Sequence, residues 1–244
     1  MNQVPVLSAE YEGLHRAFLS GVAATARPGR DWTVFWPMIG HRYDRELLIV
    51  GRALNGGPIR WSASERVSAE EIAALSAAAR HQSEGDGDDP MDWVTWFDGT
   101  RTEYSTRGSA FRRVAHRVRN GLLGKSADWP RDLAWTNLAK VALWGHGNPG
   151  GKTLSVQREL GPALFACEIA ELQPCRILVM AGRWWFEPFA AALNLVVDWR
   201  EGVVEGVADC PDQRWVILPH PMTRPEGPLV KGALEAFLRP SGRH

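Results

Sequence analysis

The stretch ELLIVGRALNGG, Glu46 to Gly57, decides the fold. Its apolar half, Glu46 to Gly51, shows no alternation, the pattern of a strand covered on both faces, and it breaks at once into a glycine-rich loop. Three more runs read the same way: Leu133 to Lys140 (LAWTNLAK), Arg176 to Gly182 (RILVMAG) and Arg214 to His220 (RWVILPH). Helical patterns lie between and around them. Ser8 to Ala24 starts on a capping serine, Ser68 to Ala79 opens SAEE like a capping box, and Ser109 to Leu123 interleaves arginine with apolar residues. Ser155 to Leu172 and Pro228 to Leu238 complete the set. This alternation predicts an α/β fold, a three-layer α/β/α sandwich around a central four-stranded parallel sheet. Residues 58–105 do not fit the alternation and read as an insertion or lid, with the aromatic stretch Trp93, Trp96, Phe97 and Tyr104.

A chain of 244 residues can bury one large core, so a single domain over 1–244 is expected. Its longest apolar runs fall far below the roughly 20 residues of a membrane span, and residues 1–12 carry no secretory core. A cytoplasmic monomer without a membrane partner is the expectation. Cys167, Cys175 and Cys210 have no CxxC spacing and the histidines are scattered, so neither a disulfide framework, a metal site nor a cofactor is expected. The 28 basic residues balance the 28 acidic ones, but they comprise 24 Arg and 4 Lys. That bias suits phosphates, or reflects only a GC-rich genome. Between Arg101 and Lys125 seven basic residues face the single acid Glu103, either a solvated helix face or a phosphate-tracking surface.

In parallel sheets ligands bind beyond the carboxyl ends of the strands. The residues just past each run are Gly51 to Gly57, Asn137 to Lys140 followed by GNPGGK (Gly147 to Lys152), Gly182-Arg183, and His220-Pro221-Met222-Thr223. The first loop matches neither GxxxxGK[ST] nor GxGxxG, and glycines after a strand often serve only the turn. His220 between two prolines is either structural or functional. Asn137 within an apolar run must find a buried bond or contact a ligand. Trp93, Trp96, Trp184 and Trp185 are core or base-stacking surfaces.

In order, these segments resemble the uracil-DNA glycosylase superfamily, especially its branch with an N-V-V-K motif. The matches are Gly51 to Gly57, Gly108-Ser109-Ala110-Phe111, Thr136 to Lys140 with Gly147-Asn148-Pro149, Arg176 to Gly182, and His220-Pro221-Met222, spanning Glu46 to Leu238. The resemblance implies an enzyme that flips a nucleotide out of DNA and hydrolyses its N-glycosidic bond. It assigns base stacking to Phe111, base-edge reading to Asn137, donation to the departing base to His220, and close backbone approach to Gly51, Arg52 and Ala53. It places Arg112, Lys140, Met222, Thr223 and Arg224 against DNA.

The sequence departs from the family at the first loop. Arg52 stands where relatives carry a water-positioning Glu, Asp or Asn, and a guanidinium that stays protonated cannot serve as a base. Asn55, or an acid of the insertion such as Asp98, is left to orient the water. Met222 replaces the usual Ser after His-Pro, and no iron–sulfur cluster is expected. Departures at the base-reading end, with a Trp-rich insertion, point to a modified and bulky pyrimidine, such as hypermodified cytosine in phage DNA. The alternatives are a uracil or deaminated-base repair enzyme, and a catalytically silent nucleic-acid-binding protein on the same scaffold.

Overall fold

The computed structural model describes residues 5–54, 59–63, 67–84, 89–94, 108–145 and 147–240. Its strands are β1 (Asp31–Val34), β2 (Met38–Ile39), β3 (Leu47–Ala53), β4 (Arg60–Ser62), β5 (Ala134–Ala139), β6 (Val141–Leu143), β7 (Arg176–Val179), β8 (Asp198–Trp199), β9 (Gly206–Cys210) and β10 (Gln213–Ile217). Its α-helices are α1 (Ala9–Ala23), α2 (Ala69–Glu84), α3 (Ala110–Leu123), α4 (Gly151–Leu172), α5 (Arg183–Ala192) and α6 (Glu226–Leu238).

The architecture is mixed α/β with a mostly parallel sheet. The four predicted strands become β5, β3, β7 and β10, mutually parallel neighbours in that order. The sheet is nonetheless larger than four strands. β2 extends it antiparallel beyond β5, and β9 and β8 extend it antiparallel beyond β10, giving the order β2-β5-β3-β7-β10-β9-β8. β2 and β8 have two residues each and β9 is the mixed GVADC, too short or too polar to stand out as apolar runs. A separate antiparallel sheet runs β4-β1-β6.

Alternation along the buried strands divides two cores. Leu48 and Val50 of β3, Ile177 and Val179 of β7, and Trp215 and Ile217 of β10 pack with α1, α2, α4 and α5. Leu47, Ile49, Leu178 and Val216 face the other way, onto α3 and α6. Helix starts follow their caps: Ser8 Oγ accepts the Tyr11 N–H at 3.3 Å, and Ser68 Oγ accepts the Glu71 N–H at 3.1 Å. α4 begins at Gly151, a turn before the expected Ser155, on the N-cap Gly150. α5 was not expected at all, because Pro188 lies within it. Among the described residues no helix is long and apolar enough to cross a membrane.

The described parts of 58–105 include elements packed into the body of the fold. β4 pairs with β1, and α2 contributes Ile72 and Ala79 to the first core. Trp96, Phe97, Asp98 and Tyr104 lie outside the described residues, as does the side chain of Trp93.

Candidate functional site

Parallel pairing of β3 with β5 sets Gly51 opposite Asn137. A Cβ at position 51 would lie 2.3 Å from Asn137 Oδ1 and 3.3 Å from Phe111 Cζ, so glycine is what lets the amide and the ring meet over the strand. Phe111 sits in the first turn of α3, behind the N-cap Ser109, whose Oγ accepts the Arg112 N–H at 3.5 Å. Its ring lies 5.6 Å from that of Trp135 and 6.2 Å from that of His220, the latter pair inclined by only 29°. Gly51, Phe111, Asn137 and His220, drawn from three strand ends and a helix start, thus converge.

Asn137 is 1% exposed, and its Nδ2 is buried with no hydrogen-bond partner among the described residues. A buried donor left unmade costs roughly 1–3 kcal/mol, and the described residues supply this amide no acceptor. His220 Nδ1 accepts the Met222 N–H at 3.2 Å, which assigns the ring proton to Nε2. Burial, then the nearby Arg52 guanidinium, push its pKa down to about 4. At neutral pH His220 is therefore an uncharged N–H donor.

His220 also lines an open cleft of about 660 Å³ with Arg52, Gly182, Trp185 and Glu205. Arg52 is half-buried. Its Nε donates to the Ala181 carbonyl at 2.8 Å and its Cζ lies 5.9 Å from the Trp185 ring centre. Burial lowers its pKa, while the Glu205 carboxylate opposes that shift. Gly182 turns the chain at φ 84° into α5, whose first turn is capped by Glu205: Oε2 accepts the Arg183 N–H at 2.6 Å. Glu205 sits in a polar loop with no motif around it, and Trp135 looked like any other apolar strand residue, so sequence reading marked neither.

The expected DNA-contacting residues divide. Met222, 64% exposed, Thr223, held at φ 70°, and Arg224 all line the cleft. Lys140 does not. It is 1% exposed, with Nζ 2.6 Å from Glu168 Oε1, so it is a buried counter-ion and cannot reach a phosphate. Arg112 is likewise corrected: it is 7% exposed, with its guanidinium 4.0 Å over the Trp135 ring. The Arg-rich helix face is partly offset, with Arg113 and Arg117 sharing Glu226 and Arg119 on Asp132. Ala53 ends β3 opposite Ala139 and packs against the first core. Asn55, expected to be catalytic, lies outside the described residues. Among the described residues no group of three His, Cys, Asp or Glu side chains could hold a metal ion. No protein-family model matches the chain, and no curated protein matches it in sequence.

Proposed function

We propose that the protein is a monofunctional DNA glycosylase that excises a modified, bulky pyrimidine, in the manner of the uracil-DNA glycosylases its motifs resemble. The carrying observation is the unpartnered Asn137 amide, set by register against Gly51 and roofed by Phe111. A planar heterocycle with an acceptor on its edge satisfies this arrangement: the ring stacks on Phe111 and the edge takes the Asn137 donor.

The chemistry follows from His220. As the bond between C1′ and the base breaks, the electron pair leaves with the base and negative charge gathers on its carbonyl oxygen. The His220 Nε2–H donates to that oxygen from a neutral ring, so no ammonium-like group must be desolvated first. Water adds to the oxocarbenium-like C1′ and loses its proton to solvent, and the base recovers a proton from solvent. Asn55, two residues beyond β3 in the chain, is assigned the orientation of that water. The cleft beside His220 supplies room for a substituent larger than that of uracil.

Arg52 favours a second reading. In the sequence Arg52 stands where the family it resembles carries its water-positioning group, and a protein that binds nucleic acid without cutting the glycosidic bond would carry a cation there. Incubation with uracil-containing, hydroxymethylcytosine-containing and glucosylated DNA, followed by detection of abasic sites, separates the readings. Release from hydroxymethylated or glucosylated DNA supports the proposal, uracil alone points to repair, and abasic sites in none of the three sink the enzymatic reading.

A further inference from the structure

Trp184 opens α5 on the rim of the same cleft, with its indole 59% exposed. It is held in place. The Trp185 ring stands against it at 5.6 Å and 85°, and the Arg158 guanidinium lies 4.1 Å over its ring. Arg158 Nη1 is itself buried without a hydrogen-bond partner among the described residues. Across the cleft, Met222 is also exposed.

The rim itself carries both signs of charge: Arg183 pairs with Glu187 at 3.2 Å, and Glu205 lines the cleft beside Arg52. Arg113, Arg119, Arg131, Arg176 and Arg214 each have a carboxylate within ion-pair distance. Among the described residues Arg52, Arg158 and Arg224 are in no such pair. An aromatic face fixed in solvent beside several guanidinium groups matches an unstacked polyanionic strand, which offers both base faces and phosphates. A duplex offers the phosphates but keeps its base faces to itself.

We infer that the rim is a stacking subsite for a second nucleotide of single-stranded DNA, its base on Trp184 and its phosphates on Arg52 and Arg224. Only the identity of its neighbour, the flipped nucleotide, rests on the base-excision reading.

The test is fluorescence anisotropy with the full chain and labelled dT12, a 12-base-pair duplex and rU12, at two salt concentrations. The wild type should bind dT12 more tightly than the duplex, with affinity falling as salt rises. Trp184→Ala should weaken dT12 binding by about fivefold or more, the lower bound for losing one base stack, and Trp184→Phe should restore most of it. Because the indole is exposed, the thermal midpoint of Trp184→Ala should match the wild type and exclude a folding defect. Equal affinity of Trp184→Ala and wild type for dT12 overturns the subsite, as does duplex binding as tight as dT12; tighter binding of rU12 overturns its assignment to DNA. Trp184-dependent dT12 binding without base release from any substrate leaves the subsite standing and sinks base excision. Base release with Trp184-independent binding does the reverse.

Discussion

Glu168→Gln is expected to be among the most destabilising single substitutions in the chain. Glu168 has no exposed surface and receives three donors: the Tyr11 hydroxyl at 2.6 Å and Lys140 Nζ at 2.6 Å on Oε1, and the Thr136 hydroxyl at 2.7 Å on Oε2. Burial pulls the pKa of Lys140 down while Glu168 holds it up, so the carboxylate is what keeps this ammonium charged. Gln keeps the shape but removes the charge and one acceptor oxygen, leaving a buried cation without a counter-ion. Breaking a buried pair from one side costs about 3–5 kcal/mol. For a chain of this size each kcal/mol moves the melting point by about 2–4 °C, so a fall of about 6–20 °C is expected. Circular dichroism melts and urea titrations at pH 7 measure it. The joint replacement Glu168→Leu with Lys140→Met should recover most of the loss, since an apolar pair carries no desolvation penalty. A Glu168→Gln variant within about 1 kcal/mol of wild type would refute the reasoning, because the pair would then not be shielded from water.

Gly51→Ala should push the Asn137 amide off its position at a stability cost of about 1–3 kcal/mol, while base release falls by about 100-fold; unchanged release shows that the contact is not part of the site. His220→Ala should lower the rate by about 100- to 1,000-fold with little change in melting point, and Asn55→Ala should abolish activity with the fold intact. Acid should destabilise the fold through His15, whose Nε2 donates to the Phe35 carbonyl at 3.2 Å and whose pKa burial pushes down to about 3. The unfolded chain takes up this proton first, so the contribution is complete above about pH 6.5 and is lost as pH falls toward 3, at up to about 1.4 kcal/mol per pH unit. His220, lowered to about 4, adds in the same direction. Urea midpoints that stay flat between pH 6.5 and 5 contradict both assignments.

The parallel core was legible because Leu47 to Val50, Ile177 to Val179 and Trp215 to Ile217 are covered on both faces, and a strand with no solvent side has no polar alternation to obscure it. The edge strands were not, since β2 and β8 are two-residue extensions formed by pairing rather than by propensity. Gly51, Asn137 and His220 could be named because each lies near or just past the carboxyl end of a parallel strand, where ligands bind in such sheets, and Phe111 because the family resemblance singled it out. Lys140 misled for the opposite reason. It stands in the same motif as Asn137, but its partner Glu168 is 28 positions away on α4, and an ion pair across elements leaves no local pattern. The charge excess from Arg101 to Lys125 misled likewise, because part of it is met from outside the segment: Arg113 and Arg117 share Glu226 on α6, and Arg119 pairs with Asp132.

Base release is the direct measurement. Single-stranded DNA carrying one glucosylated hydroxymethylcytosine is incubated with an excess of protein, and the products are resolved by mass spectrometry. A free modified base together with a full-length abasic strand, lighter by the base less the water added, present with wild type and lost with Asn137→Ala, is the predicted result. An intact strand, or release of a nucleotide rather than a base, contradicts the account.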